Sequence, residues 1–121
     1  MSDPIDGVFN ILATPFTNGG AIDVTSLRRL VNFQLELGAY GLTILGVLGE
    51  AAKLSVDERK QVVDTVMETV AGRVPVVVGT SHNDIPTCIR LSEEAFAAGA
   101  AGVMVAAPAF EKPSDPLVLA F

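Results

Sequence analysis

Four short segments hold most of the residues that could do chemistry. They are Thr14-Pro15-Phe16, Gly46-Val47-Leu48-Gly49-Glu50, Gly79-Thr80-Ser81-His82 and Ala107-Pro108-Ala109-Phe110-Glu111-Lys112-Pro113. Gly46 and Gly49 permit a tight loop that presents backbone N–H groups, a cradle for a carboxylate. Val47 and Leu48 lie within that loop, and their N–H groups are candidate substrate contacts. Thr80 offers a hydroxyl for a further contact, and it equally suits a turn. Glu50 reads either as an acid/base group or as a cap on loop N–H groups. His82 reads either as a general acid/base or as a loop residue ahead of a helix cap. A nucleophilic lysine has to be desolvated before it gives up its proton near neutral pH. Lys53 beside a helix start and Lys112 in a Pro-flanked loop read instead as solvated charges. The chain has one histidine and one cysteine, Cys88. Neither a multi-histidine nor a cysteine-based metal site is expected, and no cofactor.

These segments need elements to position them. Apolar runs at Val8–Ala13, Leu42–Leu45, Val76–Val78 and Gly102–Ala106 predict strands covered on both faces, as in parallel sheets. Three helical patterns lie between them. The first spans Thr25–Leu37, with Asp23 as its cap. The second starts at the capping box Ser55-x-x-Glu58 and runs to Gly72. The third is capped by Asn83 or Asp84 and carries Pro86 in its first turn. Cys88 falls on the apolar stripe of the third helix and reads as a buried small hydrophobe. Arg28-Arg29 and Arg59-Lys60 are placed on helix surfaces. The order βαβαβαβ predicts parallel strands joined by crossover helices. The chemical segments then share the C-terminal edge of the sheet, where ligands bind in parallel α/β folds.

Composition narrows the classes further. In 121 residues, half are hydrophobic and 18% charged, which excludes a disordered chain. Lys+Arg total 8 against 14 Asp+Glu, a formal charge of −6. Nothing in that balance favours nucleic acid or an anionic membrane, so neither is an expected partner. The acidic start MSDPIDG lacks the basic and apolar segments of a signal peptide. With a lone cysteine, this fits a cytoplasmic setting.

The segments taken together resemble the dihydrodipicolinate synthase/N-acetylneuraminate lyase family of Schiff-base aldolases. The resemblance runs from Gly7 to the end of the chain. It rests on TPF after the first strand, on Gly46, Gly49, Glu50, Ala51 and Glu58 around the second, and on VVVGTSHN and APAFEKP after the third and fourth. It implies a (β/α)8 TIM barrel, this chain covering about the first four βα units, with residues 1–121 the N-terminal half of a single barrel domain. It also implies lyase chemistry on pyruvate or another 2-oxo acid, held in a Schiff base with a lysine. That lysine belongs to the sixth strand and lies outside this chain, so the 121 residues alone are expected to be inactive. Val47 and Leu48 stand where the family usually has two hydroxyl residues. Phe110 stands at the relay-tyrosine position and Ala109 replaces its neighbour. These departures imply a different 2-oxo acid or lost activity.

After the fourth strand, Asp115-Pro116-Leu117 reads as a helix start inside which the chain stops. The sequence thus describes an interrupted barrel forming a homo-oligomer. Two other readings stand beside the lyase. One is a non-catalytic half-barrel that pairs through its bare edge strands. The other is a small-ligand binding module on a doubly wound sheet, although Gly19-Gly20 lacks the G-x-G-x-x-G spacing.

Overall fold

Three polar motifs start the three α-helices of the described residues. Asp23 accepts the Ser26 N–H at 3.0 Å and opens α1, Val24–Glu36. Ser55 and Glu58 exchange hydrogen bonds of 3.1 and 2.9 Å in a full capping box, opening α2, Val56–Val70. Asp84, rather than Asn83, accepts the Thr87 N–H and opens α3, Ile85–Ala97, with Pro86 in the first turn. Such side chains satisfy N–H groups that no helix can pair internally. The computed structural model describes residues 8–46 and 49–106.

Four strands alternate with these helices: β1 Phe9–Ile11, β2 Gly41–Ile44, β3 Val76–Gly79 and β4 Gly102–Met104. The pairings between these four strands are all parallel and the order is β1-β2-β3-β4. A doubly wound sheet would reverse direction at a switch point; this sheet only advances, as a barrel does. Short runs of branched residues make these strands because Val and Ile pack well on a pleated surface and lose rotamer freedom in a helix.

Strand alternation then divides the residues between two faces. Leu42, Ile44, Val76 and Val78 point to the helices and join Leu27, Val31, Val62, Val66 and Val70 in one core. Asn10 is on the same side and donates to Gln34 of α1 at 2.6 Å. Fully burying each of these aliphatic side chains stabilises the fold by about 1.5–3 kcal/mol. Ile11, Thr43, Val77, Gly79 and Met104 share the opposite face by register.

One expectation is corrected. Arg59 is not on the helix surface: it is buried, with 7% of its area exposed. The reason lies in its spacing. Val62, Val63 and Val66 follow it by three, four and seven positions, so it shares their inward stripe.

Candidate functional site

The loop after β2 is constrained at both of its described ends. Leu45 and Glu50 both take left-handed backbone conformations, φ 59° and 56°. For residues with a β-carbon each such conformation costs on the order of 1–3 kcal/mol, so the surroundings must enforce it. Two contacts do so. The buried Thr14 hydroxyl, just after β1, donates to the Gly49 carbonyl at 2.6 Å. Gly79 at the end of β3 lets the Leu45 carbonyl pass close by; a β-carbon there would lie 2.1 Å from that oxygen. Ala51–Lys53 then form a 3-10 turn leading to α2. The structure therefore places Gly46, Gly49 and Glu50 together at the strand-end rim, while Val47 and Leu48 lie outside the described residues, as does Phe110.

The side chains of this rim have defined partners. Glu50 bonds Lys53 Nζ at 2.9 Å in a solvent-exposed ion pair. That hydrogen bond, with the carboxylate charge behind it, holds the Lys53 ammonium above the usual lysine range. Such a lysine is protonated and a poor nucleophile. The Thr80 hydroxyl lies 2.8 Å from Ser92 Oγ, and Ser92 donates to the Cys88 carbonyl. Thr80 thus faces α3, beside a hollow of about 270 Å³ between α2 and α3. His82 Nδ1 accepts the Asp84 N–H at 2.9 Å and serves the start of α3.

Sequence reasoning missed Arg59, and it placed Ser81 in the third segment without giving it a role. Arg59 Nη1 donates to the Ser81 carbonyl at 2.7 Å, and Ser81 Oγ accepts the Ala106 N–H at 2.8 Å. Together they tie α2, the β3 loop and the β4 loop into one rim. Burial pushes the Arg59 guanidinium below its ordinary value, and its Nε has no partner among the described residues. The available signal was the apolar period of α2, which already included position 59.

Between these loops opens a cleft of about 640 Å³, bordered by Leu45, Glu50, Ala51, Arg59, Ser81 and Met104. Its lining is mostly apolar with a few polar groups at the rim, the usual make-up of a small-molecule site. No group of three or more metal-ligating side chains is found among the described residues. No helix there is long and apolar enough to cross a membrane.

The model of the dihydrodipicolinate synthetase family matches residues 4–119. The chain belongs to that family. A 4-hydroxy-tetrahydrodipicolinate synthase from Salinibacter ruber is 42% identical over 109 residues, 90% of this chain and 36% of the relative. A solved structure from Pseudomonas aeruginosa, described as a putative dihydrodipicolinate synthetase, superimposes with a TM-score of 0.91 at 32% identity. It covers 97% of this chain and 40% of its own. A prophage protein of the family from E. coli K12, in complex with pyruvate, gives a TM-score of 0.89 at 32% identity, covering 96% and 39%. The curated relatives are longer: this chain spans 36% to 38% of their length. The family fold is the (β/α)8 barrel, and these residues provide about its first four βα units.

Proposed function

We propose that this chain supplies the carboxylate-binding half of a lyase that works through a Schiff base on pyruvate or another 2-oxo acid. The reading rests on the loop after β2. Left-handed Leu45 and Glu50, the Thr14 hydrogen bond to Gly49 and the close approach at Gly79 hold both described ends of that loop, Gly46 and Gly49–Glu50, at the strand-end cleft. Rigid backbone N–H groups bind a carboxylate without a loop-ordering cost. Residues 1–121 are then one continuous arc of a single barrel domain, and a lysine outside the chain provides the amine. That amine adds to the ketone carbon and water leaves. The protonated imine draws in the electron pair of the neighbouring carbanion as a bond to the next carbon is made or broken. Apolar Val47 and Leu48 remove hydroxyl contacts worth about 1.5–3 kcal/mol each to a charged group, and Phe110 removes the relay hydroxyl; together they point to a different 2-oxo acid or to lost activity. No metal is required, and the setting we assign is cytoplasmic.

Borohydride reduction in the presence of pyruvate tests this. A longer chain with four further βα units gains a covalent adduct, and the 121-residue chain gains none. A longer chain that traps neither pyruvate nor any larger 2-oxo acid overturns the reading.

A further inference from the structure

The three helices are not evenly spaced. α1 packs closely on α2, whereas α2 and α3 stand apart. Between them lies the hollow of about 270 Å³, lined by Leu45, Val63, Val78, Leu91, Ala95 and Ala98. Protein interiors leave few voids larger than a water molecule. Here the two alanines of α3 each present only a methyl group, and the space stays open. It lies within the arc, so barrel units added beyond β1 or β4 do not fill it. One charge borders it from inside. Arg59 of α2 has 7% of its area exposed. Its Nη1 donates to a neutral acceptor, the Ser81 carbonyl, at 2.7 Å. Its Nε is buried without a hydrogen-bond partner, and no carboxylate among the described residues forms an ion pair with it. Burying a cation is costly unless an anion and acceptors compensate it. The carboxylates at the mouth do not: Asp64 pairs with Lys60 at 3.4 Å and Glu94 with Arg90 at 3.9 Å, all four exposed to solvent. Thr80 is no rival donor. Ser92 gives its hydrogen to the Cys88 carbonyl, so the Thr80 hydroxyl gives its own to Ser92.

We infer that this hollow is a binding site for a small aliphatic carboxylate, its head group against Arg59 and its tail between α2 and α3. A carboxylate brings a guanidinium both the missing charge and two acceptor oxygens. The tail meets Leu45, Val63, Val78 and Leu91, which offer it only apolar surface. Size narrows the class. At roughly 30 Å³ per non-hydrogen atom, the share of one water in the liquid, the hollow holds about nine such atoms. That suits a carboxylate with a branched or straight saturated chain. Pyruvate is smaller and has no tail to place there. Arg59, Leu45 and Gly79 border both the hollow and the strand-end cleft, but the two spaces lie on different sides of them. The site needs no Schiff base, so its failure leaves that chemistry untouched, and the failure of that chemistry leaves the site untouched.

Titrating the 121-residue chain, 13C-labelled at its Val and Leu methyl groups, with 4-methylpentanoate tests the site. The expected result is saturable shifts of the Val63, Val78 and Leu91 methyls, with a dissociation constant on the order of millimolar. 4-Methylpentanamide has the same shape without the charge, and it binds at least tenfold more weakly. Arg59→Gln weakens binding of the acid at least tenfold and changes that of the amide by no more than about twofold. Ala98→Leu fills the hollow and abolishes the shifts. The acid–amide comparison uses the unaltered chain, so it decides the matter even where Arg59→Gln does not fold. Methyl groups that do not shift overturn the site. So does an amide that binds as tightly as the acid, because the hollow is then an apolar cavity only. Shifts that persist in Ala98→Leu, or that are confined to the amides of residues 46–51 in a parallel 15N titration, place the ligand elsewhere and overturn it as well.

Discussion

A methyl group at Gly79 would sit 2.1 Å from the Leu45 carbonyl oxygen and 2.8 Å from its carbon. Both are backbone atoms, and the loop that carries them is already held by Thr14 through Gly49. The clash cannot be relieved by turning a side chain. Gly79→Ala should therefore destabilise the fold by about 3 kcal/mol, the upper part of the usual overpacking range. Urea unfolding reads it directly; a change below about 0.5 kcal/mol would mean the β2 loop is free to move. Much at this scale is legible in the sequence. Their position after an apolar run puts Gly46, Gly49 and Glu50 at the strand end. Arg59 is not legible in the same way, because its charge suggests a surface while the period of α2 turns it inward. Thr80 reads as a hydroxyl near the cleft. Its partner, Ser92, lies twelve residues away, and nothing in the local sequence announces that pairing.

The helices are the most legible elements, because their start signals are local. Asp23, Ser55 and Asp84 each cap the helix that the pattern assigns to them. Their chemistry also sets an acid limit. The Ser26 N–H and hydroxyl bonded to Asp23 hold its carboxyl below the ordinary 3.8, and the Thr87 hydroxyl and N–H do the same for Asp84. A carboxyl with a depressed folded value binds protons less readily than in the unfolded chain. Its contribution is present above 3.8 and is lost as the pH falls below it toward the folded value. Helix content should drop through that acid window. In the double variant Asp23→Asn and Asp84→Asn the drop should be shallower, since asparagine caps without titrating. An unchanged acid profile in circular dichroism would show that other groups govern it. Strand bounds are less legible: β1 and β4 are each three residues long, shorter than their apolar runs. Apolar character continues past the last ladder bond, so composition alone does not mark where pairing stops.

At the scale of the whole molecule, the alternation of elements indicates a parallel α/β chain, and the advancing strand order decides for an arc of a barrel. Sequence could not supply that order, because it depends on which edge each crossover returns to. The proposed chemistry stands or falls with the β2 loop as a preformed carboxylate cradle. Amide NMR of the 15N-labelled chain titrated with pyruvate tests that role most directly. Without the lysine, binding should be weak, with a dissociation constant on the order of millimolar. The predicted result is saturable shifts confined to the N–H groups of residues 46–51 and their neighbours at the cleft. Shifts that saturate elsewhere, with these amides unmoved, would contradict it.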